Sequence, residues 1–175
     1  MGGESSQRNT RGCPVGAQMS KTRRDTIQQR IGQLAQEGSS CVSFNIRKAA
    51  RAVTQLYDEK LRPFGLRSTQ LSILAKTLTL EPVTVTRLAE ATVTDRTTLT
   101  RNLSLLEQQG LIQVDRGHDR RERAVRLTDR GRDVLAHVYP IWQEVQAEVA
   151  TRFGSERLAL LLAELSALVE VARPR

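Results

Sequence analysis

The sequence predicts a mainly α-helical fold with one small β-hairpin. From Lys21 onward, apolar residues recur at helical spacing along nearly the whole chain. One stretch only, Leu111 to Leu127, alternates with period two on either side of a polar tip. The 175 residues are enough for one ordinary domain with a real core. At 39% hydrophobic but 3% aromatic, that core must be packed by aliphatic side chains.

Residues 1–20 carry Gly, Ser, Asn, Thr and Arg without apolar periodicity and read as a disordered basic arm. From Lys21 to Glu37, Ile27, Ile31 and Leu34 fall at i, i+4, i+7, as in a short amphipathic helix ended by Gly38-Ser39-Ser40. A long helix follows from Cys41 to Leu61, with Val42, Ile46, Ala49, Ala50, Val53, Leu56, Tyr57 and Leu61 on one face, and Pro63 and Gly65 stop it. Ser68 or Thr69 caps the next helix, whose apolar positions are Leu71, Leu74, Ala75 and Leu78; Glu81-Pro82 breaks it. Thr84 opens a short helix with Val85, Leu88 and Ala89, and Val93 lies in the turn after it.

Thr94 is expected to cap a further helix, Asp95 to Gln109, in which Leu99, Leu103 and Leu106 repeat at i, i+4, i+7, with Gly110 as its left-handed stop. Leu111-Ile112-Gln113-Val114 and Ala124-Val125-Arg126-Leu127 form the hairpin. Thr128 caps a long helix whose Val134, Val138, Ile141, Val145 and Val149 approach a heptad seam, with Pro140 expected to bend it. After Gly154-Ser155, a last helix carries Leu158, Leu161, Leu162, Leu165, Leu168 and Val169.

Helix, helix, short helix, helix and hairpin within residues 68–127 is the order of a winged helix-turn-helix. With Leu99 centred on the buried face of the recognition helix, steps of 100° put Thr94, Thr97, Arg101, Ser104 and Gln108 opposite. Thr98 lies on the flank, while Arg96 and Thr100 lie nearer the buried side but within reach of a phosphate. Arg101 suits guanine O6/N7, and threonine hydroxyls and methyls suit phosphate or thymine. Four threonines, at 94, 97, 98 and 100, form a poor helix start unless they serve another purpose.

Charge points the same way. Lys and Arg number 27 against 19 Asp and Glu, a net +8, and the stretch Arg116 to Arg132 holds seven Arg against three acids, half of that excess. A basic tip with Arg116, Arg120, Arg121 and Arg123 can enter the minor groove of double-stranded DNA, although any solvated hairpin tip is also charged.

Residues of about 41–172 resemble the multiple-antibiotic-resistance regulator (MarR) family. The matching segments are Asn45-Ile46-Arg47-Lys48-Ala49-Ala50-Arg51, Leu61-Arg62-Pro63-Phe64-Gly65-Leu66, Thr69-Gln70-Leu71-Ser72-Ile73-Leu74 and Leu88-Ala89. They continue through Asp95-Arg96-Thr97-Thr98-Leu99-Thr100-Arg101, Leu106-Glu107-Gln108-Gln109-Gly110-Leu111-Ile112 and the wing's Asp119-Arg120-Arg121. The resemblance implies a triangular homodimer that binds a pseudo-palindromic operator as a repressor. In it Arg121 would be the minor-groove arginine and Asp119 would hold the wing by pairing with a nearby arginine. The expected organisation is a basic extension over 1–40 with a short helix over 22–37, then a domain over 41–172. That domain comprises a winged helix-turn-helix at 66–128 and dimerisation helices at 41–62, 129–152 and 155–172.

Members of the family commonly answer to a small phenolic or lipophilic effector, or to oxidation of a cysteine near the start of the first long helix. Cys41 stands at about that place, where a helix dipole favours thiolate, although free cysteines are often simply buried. Cys13 in the arm could be its resolving partner.

Other classes fare worse. No run of about 18 apolar residues spans a bilayer, and no basic helix with an exposed aromatic face suggests membrane contact. The start Met1-Gly2-Gly3-Glu4-Ser5-Ser6 fits an acylation signal only loosely, no signal peptide follows, and two cysteines make no disulfide framework. The cytoplasm is therefore the expected compartment. His118 and His137 lie apart, and Glu144 and Glu148 read as a solvated helix face, so neither a metal nor another cofactor is expected. No nucleophile–base set, phosphate loop or dinucleotide fingerprint supports an enzyme. A winged helix used to dock an acidic protein is the rival class, and the Thr/Arg recognition face argues against it.

Overall fold

The computed structural model describes residues 21–115 and 124–173, which fall into two compact units divided between Lys48 and Ala49. The expected arm at 1–20 and the wing tip at 116–123 lie outside the described residues.

The first unit contains α1 (Lys21–Glu37), a 3-10 turn (Gly38–Ser40) and the opening of α2 (Val42–Leu61). Asn45 staples the break between the helices by donating from Nδ2 to the carbonyls of Ser39 (2.8 Å) and Cys41 (3.0 Å). None of the described residues of this unit is buried, and Ile27, Ile31 and Leu34 are exposed.

In the second unit the rest of α2 is followed by α3 (Ser68–Leu80), β1 (Val83–Thr84), α4 (Val85–Thr92) and α5 (Arg96–Gln108). Then come β2 (Ile112–Asp115), β3 (Ala124–Leu127), α6 (Asp129–Phe153) and α7 (Ser155–Ala172). The core is aliphatic, as the composition requires: Leu61, Leu66, Ile73, Leu74, Leu88, Leu99, Leu103, Leu106, Ile112, Val125 and Val138 form one buried cluster.

The helix starts show how local chemistry sets the frame. Thr84 caps α4 by accepting from the Arg87 N–H, and Thr128 caps α6 by accepting from the Gly131 N–H at 3.0 Å. Thr94 does not cap α5. Its hydroxyl turns back to the Thr92 carbonyl, and Asp95 takes the role by accepting from the Thr98 N–H at 2.9 Å. A carboxylate beside the positive end of a helix accepts more strongly than a hydroxyl. Ser68 and Thr69 do not cap α3 either: Arg67 holds the cap position, and Ser68, inside the helix, donates its N–H to Asp58 on α2 at 2.7 Å.

The apolar rows of α3 and α6 are turned into the core only in part. On α3, the inward side chains are Gln70, Ile73, Leu74 and Thr77, so Ala75 and Leu78 of the expected stripe remain exposed. On α6, Val138 and Val145 of the near-heptad row are wholly buried within the chain, while Val134, Ile141 and Val149 are only partly buried. The helix continues through Pro140.

The hairpin is extended to a three-stranded antiparallel sheet in the order β1-β3-β2, with Val83 opposite Val125 and Ile112 opposite Leu127. The base of the wing is tied to the helices at both ends. Gly110, at φ 69°, turns the chain out of α5, and its carbonyl accepts from the Thr128 hydroxyl at 2.6 Å. A Cβ added to Gly131 would stand 2.0 Å from the Leu111 carbonyl oxygen, so only glycine lets α6 begin this close to β2.

Candidate nucleic-acid interface

The helix-turn-helix consists of α4, a tight turn through Val93 and α5. Val93 sits at φ 49°, ψ 45°, a left-handed conformation that a β-branched residue adopts only under constraint. Its N–H and that of Thr94 are held by α4 carbonyls, which fixes the angle at which α5 leaves.

Helix α5 is divided lengthwise. Leu99 and Leu106 are wholly buried and Leu103 nearly so, while Arg96, Thr97, Thr98, Thr100 and Arg101 are exposed and Thr94 is half-buried. The structure thus brings all six expected recognition residues to one helix end. It also spends part of their bonding locally: the Thr100 hydroxyl donates to the Arg96 carbonyl at 2.7 Å. The Asn102 amide, which the sequence reading passed over, donates to the Thr98 carbonyl at 2.9 Å. Asp95 titrates below the ordinary aspartate range, because the Thr98 hydroxyl and then the Thr98 N–H bond its charged form.

Arg116, Asp119, Arg120, Arg121 and Arg123 lie outside the described residues. At the base of the wing, Arg126 pairs with Asp115 across the two strands at 3.3 Å, and Gln113 donates to the same carboxylate. The pair is half exposed, so it adds little to the stability of the fold.

Beside the helix-turn-helix lies a cleft of about 1010 Å³ between α2, α3 and α6. Leu71, Ala75 and Leu78 of the stripe that α3 leaves open form one wall, and Leu135, Tyr139 and Trp142 form another. Tyr139 and Trp142 stack with ring centres 5.8 Å apart. Tyr57, Ser72 and Thr54 also line the space, and among its lining residues Arg132 alone is charged.

Arg132 forms an ion pair with Glu81, whose side chain is only 15% exposed. The other oxygen of Glu81 accepts the Leu127 N–H at 2.8 Å. Burial pushes this carboxyl up, but the Leu127 N–H, the Arg132 guanidinium and the charge of Arg126 outweigh it and hold Glu81 below the usual range.

The other candidates are dispersed. Cys41 is a free, exposed thiol just before α2. The His137 Nδ1 lies 2.7 Å from the Asp133 carbonyl within its own helix, and Glu148 pairs with Arg152. Among the described residues, no three potential metal ligands gather, and no helix is long and apolar enough to cross a membrane.

The geometry agrees with what this chain is similar to. A family model described as the MarR family matches residues 64–122, from just after α2 into the wing. The uncharacterized HTH-type transcriptional regulator YwoH of Bacillus subtilis is 36% identical over 111 residues, which cover 63% of this chain and 81% of that protein. The transcriptional regulator MosR of M. tuberculosis, solved in complex with DNA, is 39% identical with a TM-score of 0.67, covering 77% of this chain and 99% of that one. At 24% identity and a TM-score of 0.68, the transcriptional repressor CouR bound to a 23-mer DNA duplex shares the fold, with 76% of this chain and 95% of that one covered. Four fifths of one regulator and nearly all of another are matched at more than a third identity, and this chain belongs to the MarR family of winged helix-turn-helix transcription regulators, not to a family of enzymes.

Proposed function

We propose that this chain is a sequence-specific DNA-binding repressor that grips a pseudo-palindromic operator as a homodimer and is released by a small molecule. The observation that carries it is the division of α5. One face is locked into the core by Leu99, Leu103 and Leu106, and the other offers Arg96, Thr97, Thr98, Thr100 and Arg101 to the outside. A helix held this rigidly presents its polar end as a unit to the major groove, where Arg101 reads a guanine and the threonines meet phosphates and methyls. The arginines of the wing, Arg116, Arg120, Arg121 and Arg123, extend the footprint into the minor groove, with Arg121 inserted and Asp119 bracing it. The relative MosR, solved with DNA, supports the reading.

Association as a homodimer is supported by α7, which has no buried residue although it carries six leucines and two valines. The flanking helices α2 and α6 complete the dimerisation surface. The cleft is the effector site, apolar and of ligand size. Cys41, exposed where α2 begins, offers a second route of release through oxidation.

The test is operator binding by fluorescence anisotropy, on the DNA upstream of the protein's own reading frame, titrated with salt. If about three or four arginines per subunit meet phosphates, affinity falls on the order of 10³-fold between 50 and 200 mM salt. A log–log slope shallower than about −2 would mean that the basic face is not the docking surface, and an acidic protein partner would become the better reading.

A further inference from the structure

The cleft holds one charged side chain in an otherwise apolar and hydroxyl-bearing wall, and that side chain is not idle. Arg132 is held by Glu81, and Glu81 in turn holds the wing. The register explains the second contact. With Val83 opposite Val125 and Thr84 opposite Ala124, position 81 falls opposite Leu127, where β1 has already ended. The Leu127 N–H points to that empty edge, and the Glu81 carboxylate stands in for the missing strand carbonyl. One carboxylate therefore joins the cleft, through Arg132, to β3, the central strand of the sheet, at Leu127, the position beyond the end of β1. Because Thr128 bonds Gly110 and Gly131 packs on Leu111, the same junction sits directly behind the end of α5.

Resting on the reading of the cleft as the effector site, we propose that Arg132 is the anion hook of that site, and that a ligand carboxylate which takes Arg132 from Glu81 loosens β3. An anion entering the cleft meets an arginine at a half-exposed position, 47% accessible, and can form the charge-assisted bonds that Glu81 now makes. Glu81 then keeps only its bond to Leu127 and loses the cation that neutralises it in a largely buried place. The strand edge gives up an anchor, and the wing follows. The cleft prefers an apolar ring system bearing one carboxylate, because a neutral ring gains the walls but leaves the hook on Glu81. Linkage makes the effect reciprocal: DNA that holds the wing weakens binding of the anion.

The experiment uses two isosteric probes, 2-naphthoate and 2-naphthamide, on the full chain. Trp142 is the only tryptophan and lines the cleft, so its fluorescence reports occupancy without DNA. Naphthoate should quench it at about tenfold lower concentration than naphthamide, the gain expected of one charge-assisted contact. Arg132→Gln should erase that difference, and Glu81→Gln, which removes the competitor, should tighten naphthoate alone by about threefold or more. The glutamine oxygen still accepts from Leu127, so the variant keeps the strand contact; if it does not fold, the parent and Arg132→Gln carry the test between them. By NMR, saturating naphthoate but not naphthamide should speed hydrogen exchange at the Leu127 amide.

Equal quenching by both probes, or a preference for naphthoate that survives Arg132→Gln, overturns the hook and leaves the cleft as the effector site. Unchanged exchange at Leu127 overturns the link to the wing. If neither probe quenches Trp142, the effector reading of the cleft fails, and the hook fails with it.

Discussion

Leu88, Leu99 and Leu106 in the winged head are wholly buried, whereas Leu160, Leu161, Leu162 and Leu165 in α7 are 37–66% exposed. Both regions belong to one compact unit and are built from the same residue type. The head closes its core within a single chain: α3, α4, α5 and the small sheet cover one another, helped by Leu61 of α2 and Val138 of α6, and the polar sides face out. Helix α7 shows apolar residues on nearly every side and has no described element to cover most of them. The head is a finished object, and α7 is half of one. Leucine content alone does not separate the two; what separates them is whether the neighbouring elements of the chain reach each leucine.

The strongest way to break this comparison is to remove α7. Without residues 155–175, we expect a monomeric head by sedimentation, and operator affinity lower by about 10²–10⁴-fold, because the second head no longer binds as part of the same molecule. A truncated protein that still sediments as a dimer would show that α7 is not the associating surface.

Point substitutions sharpen the same contrast. Leu99→Ala should cost about 3 kcal/mol, at every protein concentration, because it opens a cavity in a closed core. Leu161→Ala should change the stability of the single chain by less than about 0.5 kcal/mol, yet shift the concentration at which subunits associate. Thermal melts over a hundredfold range of concentration distinguish the two. If both variants respond alike to dilution, head and α7 are not separate in the way proposed.

On the face of the head, Arg101→Ala should lower operator affinity by about 1–3 kcal/mol and relax sequence preference at one position per half-site. Binding to random DNA should fall only by the loss of a charge. Anisotropy with an operator and a scrambled duplex reads both. An equal loss on the two would assign Arg101 to a phosphate.

Much of this arrangement was legible in the sequence where the signal is local. The i, i+4, i+7 leucines of α5, the Thr84 and Thr128 caps and the Gly110 stop each depend on residues within a turn or two, and each stands where expected. The misread features depend on distant partners. β1 is two residues long and exists because β3 offers it an edge, so no alternation announces it. Asp58 caps α3 from another helix. Glu81-Pro82 does end α3, as expected, but the partners of the Glu81 carboxylate lie 46 and 51 residues further on and leave no local trace. Of the apolar positions Leu71, Leu74, Ala75 and Leu78, Leu74 is buried and Leu71 packs on the core, but Ala75 and Leu78 lie open at the cleft, because periodicity reports an apolar face but not what that face meets.

The smallest effect separates the stability of the head from that of the assembly. Val93 is 61% exposed, so its side chain packs little, yet its backbone is left-handed at φ 49°. A β-branched residue pays about 1–2 kcal/mol for that conformation, and asparagine adopts it more readily because its short amide bonds the local backbone. The turn must keep this shape, since the N–H groups of Val93 and Thr94 bond the end of α4 and set the exit of α5. Val93→Asn should therefore stabilise the chain by about 1 kcal/mol with operator affinity unchanged. The gain should be equal in the full chain and in the form lacking residues 155–175, because it arises wholly inside the head. A gain that appears only in the full-length protein would tie the turn to association, and the division between a closed head and an open α7 would have to be redrawn.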